Sequence, residues 1–439
     1  MKYDLVIVGG GPAGLMAAKT AAEDGLKVLL IDKKSNLGEI SRGCASIFYT
    51  CKMSSSYETE SGVKEHLDAY IEPVSVECMP DLNKTRFHLW GPGFNVDYEG
   101  QLRPYLNWVQ VSPSGHVVYR YKPDCWPWGF YFDKATFLGQ LSKDVEKAGA
   151  TVRTETTGIA AENVAGGVRV QVQSKSNTEV IEGRAVIAAD GLESKIMESL
   201  GLEEKREVKT YYGATYMQYI VEGLESPYVP NSWVSFTVPS INPFTTLMIG
   251  MWKDGTNLVG ATGTKDMPVT VILDKFMRDP RYAPMFHKVK VIRRMGTPPL
   301  QLKAPIKDCV VGNVVLAGDA GLGESWVQGA VAQGYKAAKA IVRELGGQPG
   351  YNEYVEWRQK AFATFAVPSF WSGQHRVAYH WIKHATDEDV DYVYGLFAGR
   401  IGYPAMMLAR NVGIIKKDRP QLYEKLVSSG VMADGQKAS

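Results

Sequence analysis

The sequence predicts an α/β fold in which a mainly parallel sheet is assembled from separated segments and is joined to an antiparallel sheet and to C-terminal helices. Three observations predict this arrangement. Short apolar runs that end in glycine or aspartate recur at residues 3–9, 185–191 and 314–319, as expected for buried parallel strands. Residues 209–263 alternate β-branched and aromatic residues with others, which is typical of antiparallel strands. Residues 350–439 predict helices, with little glycine before residue 394.

Composition excludes several classes of protein. A chain of 439 residues predicts two or more domains. The formal net charge of +2, without a basic run that alternates with aromatic residues, gives no reason to expect nucleic-acid binding. No apolar run is long enough for a membrane-spanning helix, although peripheral membrane contact stays open.

The cysteines and the N-terminus indicate a reducing compartment. The five cysteines are odd in number and contain no CxxC pair, so neither a disulfide framework nor a metal site is expected. The chain begins almost at once with the strand-like run at residues 3–8, without the features of a secretory signal. We therefore expect a cytoplasmic protein without a bound metal.

The first motif is a glycine-rich turn between a strand and a helix. Residues 9–14 satisfy G-x-G-x-x-G, a helix is predicted from about Pro12 to Glu23, and a second strand ends at Asp32. In such a unit the glycines permit a tight turn, close approach of a pyrophosphate and close packing of the helix, whose free N–H groups bind the phosphates. The turn predicts a Rossmann-type dinucleotide-binding unit without deciding between FAD and NAD. The predicted contacts are Gly9, Gly11, Pro12, Ala13, Gly14, Asp32 and Lys33.

Two later strand ends select one dinucleotide. Asp190 and Gly191 follow the strand-like run at residues 185–189, and Gly318 and Asp319 follow the run at residues 314–317. In this order, after the N-terminal turn, the motifs resemble the flavoprotein family that includes the p-hydroxybenzoate hydroxylase-like aromatic hydroxylases and the geranylgeranyl reductases. The resemblance is carried by short blocks that extend over most of the chain.

The resemblance implies FAD as the cofactor. It places Asp319 on the ribityl chain, Asp190 and Gly191 beside the FAD, and a helix N-terminus at the flavin edge, where reduced flavin carries negative charge. Lys134 stands where relatives have an FAD-contacting Arg or Gln, and the loop around residue 43 stands where they have a second FAD-contacting loop. The residues implied are Arg42, Gly43, Lys134, Asp190, Gly191, Gly318, Asp319, Gly329, Ala330 and Val331.

Cys44 and Trp326 are the candidate catalytic residues. Geranylgeranyl reductases have a cysteine in the loop that contains Cys44, although the local order here is Arg-Gly-Cys instead of Arg-Cys-Gly. Trp326 lies where the reductases usually have proline. Aromatic residues near the expected pocket predict an apolar or aromatic small-molecule substrate. These residues are Trp126, Trp128, Trp233, Trp326, Phe370 and Trp371.

The domain ranges follow from the order of the motifs. We expect residues 1–70, 105–208 and 295–348 to form the FAD-binding domain. Residues 71–104 and 209–294 are expected to form the antiparallel substrate domain, and residues 349–439 the C-terminal helical region.

Three functions stay open at the level of sequence. The first is an FAD-dependent reductase or dehydrogenase that transfers hydride between flavin N5 and a carbon. The second is an aromatic monooxygenase that uses NAD(P)H and O2, and the third is a non-catalytic FAD-binding protein. No second strand–GxGxxG–helix unit is visible, so we expect a transiently bound NAD(P)H or an electron-transfer protein as the redox partner. The family's lipid-pocket motif, Tyr-x-Trp-x-Phe-Pro, is not recognisable near residues 236–239, which counts against a polyprenyl lipid as substrate.

Overall fold

The computed structural model describes residues 2–40, 42–50, 74–123, 126–175, 177–204, 206, 208–297, 300–303, 305–321, 325–362, 377 and 380–432. Its strands are β1 (Tyr3–Val8), β2 (Val28–Ile31), β3 (Ile47–Tyr49), β4 (Val74–Met79), β5 (Lys84–Leu89), β6 (Phe94–Tyr98), β7 (Leu102–Tyr105), β8 (Asn107–Val111), β9 (Val117–Tyr119), β10 (Gly129–Phe132), β11 (Thr151–Arg153), β12 (Thr157–Val164), β13 (Gly167–Gln173), β14 (Thr178–Ala188), β15 (Val208–Glu222), β16 (Ser232–Phe236), β17 (Leu247–Met251), β18 (Asn257–Gly263), β19 (Lys290–Gly296), β20 (Leu300–Lys303), β21 (Val310–Val311) and β22 (Val314–Leu316). Its α-helices are α1 (Pro12–Glu23), α2 (Lys134–Lys147), α3 (Lys195–Ser199), α4 (Val269–Arg278), α5 (Ala283–Phe286), α6 (Trp326–Leu345), α7 (Tyr351–Ala361), α8 (Asp387–Phe397), α9 (Pro404–Arg410), α10 (Val412–Asp418) and α11 (Pro420–Ser428).

The main sheet is mostly parallel, as the apolar runs predict. Its strand order is β11-β2-β1-β14-β13-β12, and β22 pairs with the C-terminal part of β14. The strands β11, β2, β1, β14 and β22 run parallel, whereas β13 and β12 continue the sheet as an antiparallel hairpin. Leu5, Val6 and Ile7 of the central strand β1 are fully buried although their side chains alternate between the two faces, so both faces of the sheet are covered here. The predicted α/β class is confirmed.

A second, mainly antiparallel sheet has the order β19-β15-β18-β17-β16-β8-β9, with β20 also paired to β15. One face packs on α4 and α5 through apolar side chains such as Ile272 and Phe276. The other face packs on the small sheet β3-β10-β7. Between these two sheets lies a cluster that we call the aromatic interface, which contains Tyr105, Trp108, Trp128, Tyr131, Trp233 and Trp252.

Two segments pack differently from the expected domain ranges. Strands β8 and β9 belong to the antiparallel sheet, although the sequence analysis assigned residues 105–208 to the FAD-binding domain. Strands β4, β5 and β6 pack into the core of the main sheet, although residues 71–104 were assigned to the substrate domain. Phe87 stacks on Phe48 with ring centroids 4.2 Å apart, and Phe94 stacks on Tyr335 of α6 at 4.4 Å. An alternating pattern indicates that one face of a strand is buried, but not against which sheet.

The C-terminal helices pack on the edge of the antiparallel sheet. Gln110 of β8 donates a hydrogen bond to the Gly402 carbonyl at 2.9 Å, and the Thr237 and Tyr394 hydroxyls are 2.6 Å apart. Arg281 forms an ion pair with Asp387 at 2.7 Å. Within the described ranges, every helix is too short or too polar to span a bilayer.

Candidate functional site

The carboxyl ends of four adjacent parallel strands bring the predicted motifs together. The strands β2, β1, β14 and β22 are neighbours in this order, and their last residues are Ile31, Val8, Ala188 and Leu316. The glycine-rich turn, Asp32, the Asp190-Gly191 pair and the Gly318-Asp319 pair follow directly at the same sheet edge. Ligands of open α/β sheets bind at this edge.

The glycine-rich turn has the geometry that a diphosphate requires. Gly9 has a φ of +106°, and a Cβ atom on Gly14 would lie 1.8 Å from the Gly9 carbonyl oxygen, so both positions need glycine. A Cβ atom on Gly11 would meet nothing within 4 Å. Helix α1 starts at Pro12 without a side-chain cap, and Ala13 is buried behind the turn. The turn therefore leaves room and uncapped N–H groups for phosphate oxygens.

Asp32 is fixed at the end of β2 by two backbone hydrogen bonds. Its carboxylate accepts from the Gly10 N–H at 2.5 Å and from the Lys34 N–H at 2.7 Å. Lys33 points to solvent, whereas the Lys34 ammonium donates to the Leu37 carbonyl at 3.2 Å, and its burial lowers the pKa of Lys34. The remaining lone pairs of Asp32 are suited to accept from ribose hydroxyls. No contact within the described chain holds Lys33 at the site.

The Asp190-Gly191 pair lies beside the predicted second loop. The Ser194 hydroxyl donates to Asp190 at 2.5 Å, and burial raises the pKa of the Asp190 carboxyl. A Cβ atom on Gly191 would lie 3.8 Å from an Arg42 guanidinium nitrogen, and Arg42 is 3.9 Å from the Glu193 carboxylate. The structure thus brings together Arg42 and Gly191, which are far apart in the chain.

Asp319 is held by the residue that precedes α6. The Ser325 N–H and hydroxyl both donate to one Asp319 carboxylate oxygen, at 2.9 and 2.7 Å. Burial raises the pKa of Asp319, against the effects of these bonds and of the positive charges on Lys134 and Arg42. Because the Ser325 hydroxyl bonds Asp319, it does not cap α6. The N-terminus of this helix therefore retains its free N–H groups and positive dipole end.

These free N–H groups lie earlier in the chain than expected. Helix α6 begins at Trp326, and the N–H groups of the next two residues, Val327 and Gln328, lie in its first turn and have no intrahelical partners. The sequence analysis placed the flavin-facing turn at Gly329, Ala330 and Val331, but these residues lie inside the helix and are buried. The glycine pattern located the helix but shifted its start, because Ser325 was not identified as the N-cap residue.

Two buried side chains that could not be predicted from the sequence hold the segments around the start of α6 together by hydrogen bonds. Arg358 of α7 is buried and donates hydrogen bonds to the Ala320 carbonyl at 3.2 Å and the Ile306 carbonyl at 3.1 Å. Gln328, also buried, exchanges hydrogen bonds with the Tyr49 backbone at 3.4 and 3.5 Å. Each contact joins residues distant in sequence, and no local motif indicates them.

The loop with Gly43 and Cys44 is anchored to the antiparallel sheet. The Gly43 N–H donates to the Gly296 carbonyl at 2.9 Å, and a Cβ atom on Gly43 would lie 3.0 Å from the Tyr216 ring. The half-buried Cys44 thiol sulfur accepts from the Ser46 N–H at 3.4 Å. Burial, with a smaller effect of Cys44, raises the pKa of Tyr216, whose hydroxyl donates to Gln218 at 2.9 Å. Tyr216 is thus a site neighbour that the sequence analysis did not name.

Trp326 is the first residue of α6 and adopts a φ of +51°, a conformation that costs a bulky residue energy and is concentrated at functional sites. Its ring is 37% exposed and lies 6.4 Å from the Tyr49 ring. Of the other predicted pocket residues, Trp128 and Trp233 belong to the aromatic interface, and Trp126 is exposed. Phe370 and Trp371 lie outside the described residues.

The donor set fits FAD. An open turn at Gly11, two uncapped helix starts and the positive charges of Arg42 and Lys134 suit a diphosphate and a flavin that gains negative charge. Lys134 begins α2, whose N-cap residue Asp133 accepts from the Ala135 N–H at 3.0 Å. Among the described residues, no group of three or more His, Cys, Asp and Glu side chains could hold a metal ion.

Sequence comparisons match the N-terminal half of the chain. Residues 4–202 match the family described as FAD dependent oxidoreductase. The chain is 31% identical over 213 residues to a digeranylgeranylglycerophospholipid reductase from Methanocella arvoryzae. This match covers 47% of the chain and 44% of the relative, so the chain spans less than half the length of the relative that it matches.

Solved structures match nearly the whole chain. A geranylgeranyl bacteriochlorophyll reductase-like protein from Thermoplasma acidophilum has a TM-score of 0.67 and 19% identity, over 98% of this chain and 99% of that one. p-Nitrophenol 4-monooxygenase from Pseudomonas putida DLL-E4 has a TM-score of 0.64 and 14% identity, over 96% and 98%. At these identities the comparison establishes a shared fold.

Proposed function

We propose that this chain, whose residues 4–202 match the family described as FAD dependent oxidoreductase, is an FAD-dependent enzyme that reduces or desaturates a carbon–carbon bond of an apolar or aromatic unsaturated substrate. When bound, FAD supplies the hydride acceptor or donor, its N5 atom, for this reaction. The protein supplies binding, orientation and electrostatics.

The single observation that carries the proposal is the arrangement around Asp319. The Ser325 hydroxyl, at 2.7 Å, is committed to Asp319, and this leaves the first N–H groups of α6 uncapped. A helix N-terminus stabilises negative charge, so this end of α6 favours the reduced form of a flavin placed before it. Arg42 and Lys134 add positive charge on the same side. Stabilised reduced flavin is what a hydride-transferring enzyme requires.

Cys44 is the candidate proton donor for the reaction. Hydride addition to a double bond leaves a carbanion-like carbon that needs a proton. The half-buried Cys44 thiol lies on the loop beside Gly191 and Arg42, and it can supply that proton and be reprotonated from solvent. Trp326 and Tyr49, with rings 6.4 Å apart, would orient the substrate.

The substrate class rests on the aromatic interface and on the names of the relatives. Several relatives are named digeranylgeranylglycerophospholipid reductases, which indicates unsaturated isoprenoid lipids as their substrates. The aromatic side chains next to Cys44 and Trp326 supply apolar, flat surfaces for an unsaturated molecule. NAD(P)H or an electron-transfer protein would reduce the flavin, and we propose a cytoplasmic enzyme that can contact a membrane surface.

The alternative function is an aromatic monooxygenase, and the fold similarity to p-nitrophenol 4-monooxygenase is the reason to test it. Oxygen consumption distinguishes the two functions. The FAD-loaded protein would be given NADPH, a phenolic substrate and ¹⁸O₂. A reductase consumes oxygen at the same slow rate with or without the phenol and yields no labelled product. Substrate-stimulated oxygen uptake with one ¹⁸O atom in the product would establish the monooxygenase and refute the reductase.

A further inference from the structure

The aromatic interface continues directly from the candidate catalytic residues. Ile40, Ala45 and Ile47 flank Cys44 in the chain, and all three pack into this interface. On the other side, the half-buried Tyr49 ring lies 6.4 Å from Trp326 and 5.8 Å from Trp128. A molecule that reaches Cys44 and Trp326 is therefore next to the aromatic interface.

Two polar atoms in this interface lack hydrogen-bond partners. Trp128 and Tyr131 are 1% and 0% exposed, and neither the Trp128 Nε1–H nor the Tyr131 hydroxyl meets a partner in the described part of the chain. Native proteins pair nearly all such buried groups, and an unpaired one needs an explanation. The two atoms belong to the same cluster, since both rings are neighbours of Tyr105.

Neighbouring polar atoms of the interface are satisfied within the protein. The Tyr105 hydroxyl accepts from the Met251 N–H at 2.8 Å and donates to the Met251 carbonyl at 3.3 Å. The Trp108 Nε1–H donates to the Ser235 hydroxyl at 3.2 Å. The missing partners of Trp128 and Tyr131 are thus a local feature and not a general property of the cluster.

The chemistry of these two groups restricts the ligand. An indole N–H only donates, so its partner must carry an acceptor atom, which a hydrocarbon chain lacks. Two of the four rings that contact Trp128 stack on it, Tyr105 at 26° with centroids 5.2 Å apart and Tyr121 at 25° and 6.1 Å, whereas Trp108 and Tyr49 are tilted by 36°. Such rings favour a flat, conjugated ligand that stacks among them.

On the basis of the proposed function, we propose that the substrate is a flat unsaturated molecule whose carbonyl or hydroxyl oxygens accept hydrogen bonds from Trp128 Nε1 and from the Tyr131 hydroxyl. Both donors are covered by protein, so a side chain has to move to admit the ligand. We expect this side chain to be Tyr49, whose ring contacts the rings of both Trp128 and Trp326. Trp128 and Tyr131 are then specificity-determining residues. They select oxygen-bearing ligands over hydrocarbons of the same shape.

The test measures binding to the oxidised FAD-loaded protein, with 1,4-naphthoquinone and naphthalene as a matched pair of probes. Anaerobic titrations that follow the flavin absorbance give the dissociation constants. Trp128→Phe and Tyr131→Phe should each weaken naphthoquinone binding about five- to tenfold, the effect of one hydrogen bond, and leave naphthalene binding unchanged. Tyr131→Phe removes only an unpaired buried hydroxyl, so its melting temperature should equal or exceed that of the wild type. Trp128→Phe also removes buried ring atoms, so its melting temperature should fall, and its test is the change in preference between the two probes.

Trp108→Phe is the matched control, because it deletes an indole N–H that already bonds Ser235. It should lower the melting temperature without changing the preference for naphthoquinone over naphthalene. Equal losses for both probes in Trp128→Phe and Tyr131→Phe, unchanged naphthoquinone affinity, or no binding of naphthoquinone to the wild type would each overturn the proposal. The readout is binding without turnover, so it is independent of whether the reduced flavin transfers hydride.

Discussion

Asp319 and Gly11 lie at the same sheet edge and have different functions in the proposed cofactor site. Asp319 is a carboxylate whose partial burial raises its pKa and whose hydrogen bonds with Ser325 keep the start of α6 uncapped. Gly11 is a position whose missing side chain leaves open space at the start of α1. Asp319 thus contributes a negative charge near the start of α6, and Gly11 leaves the space that a diphosphate needs at the start of α1.

Replacement of Gly11 by valine should remove FAD without unfolding the protein. A Cβ atom at this position meets nothing within 4 Å, but it occupies the space expected for the diphosphate. Gly11→Val should purify colourless, with a far-ultraviolet circular dichroism spectrum like that of the wild type. Gly14→Ala is the control, since its Cβ atom would lie 1.8 Å from the Gly9 carbonyl oxygen and should disrupt the fold. A yellow, FAD-saturated Gly11→Val protein would contradict the assignment of the turn.

The charge of Asp319 should make stability depend on pH. Its folded-state pKa lies above the ordinary 3.8, so the folded state binds the proton more tightly, and stability falls as the pH rises through this interval. Asp319→Asn keeps an oxygen that accepts from Ser325 and loses the charge. The FAD-free variant should therefore be more stable than the FAD-free wild type at pH 7, and the difference should shrink as the pH falls toward 3.8. Urea unfolding at several pH values measures it, and a variant less stable at pH 7 would disprove the burial argument.

At the scale of elements, the close packing of α1 on α6 connects the two ends of the binding site. A Cβ atom on Gly334 of α6 would lie 2.1 Å from the Ala13 carbonyl oxygen of α1, and one on Gly318 would lie 3.0 Å from the Ala13 Cβ. The helix that follows the glycine-rich turn and the helix that is proposed to face the flavin are thus in close contact. Their relative position fixes the span of the cofactor site.

Gly334→Ala should destabilise the protein because the two backbones cannot separate without moving α6. Overpacking of this kind costs about 1–3 kcal/mol. Gly139→Ala in α2 is the matched control, since nothing lies within 4 Å of its Cβ position and alanine favours a helix by about 0.5–1 kcal/mol. Thermal or urea unfolding compares the two variants. Equal stability changes in both would show that the α1–α6 contact is not tight.

The local elements could be predicted from the sequence, and the contacts between them could not. Apolar runs that end in glycine and aspartate identified β1, β14 and β22, because each pattern lies within a few residues. Ser325 was missed because the glycine pattern placed the start of the helix after it, and Arg358 was missed because its partner Ala320 is distant in the chain and meets it only through the fold. The packing of β4–β6 on the main core was missed for the same reason.

At the scale of the whole molecule, one cofactor connects parts of the chain that are far apart. The glycine-rich turn, the Cys44 loop, Lys134 and the start of α6 come together at one edge of the main sheet. The aromatic interface lies between this region and the antiparallel sheet, and we propose that it forms the substrate side of the site. Cofactor binding should therefore order the site as a unit and stabilise the entire protein, by about 4 kcal/mol when FAD is present at a thousand times its dissociation constant.

Hydride transfer from the proposed FAD site to carbon can be measured in an anaerobic single turnover. The purified protein, reduced with dithionite until its flavin bleaches, would be mixed in a stopped-flow instrument with an enone or a polyprenyl lipid, whose reduction forms a new carbon–hydrogen bond. We predict that the oxidised-flavin absorbance returns with at least one of these acceptors, and that one equivalent of reduced product forms per flavin. Flavin that stays bleached with every acceptor, in a protein that retains its FAD, would contradict the account.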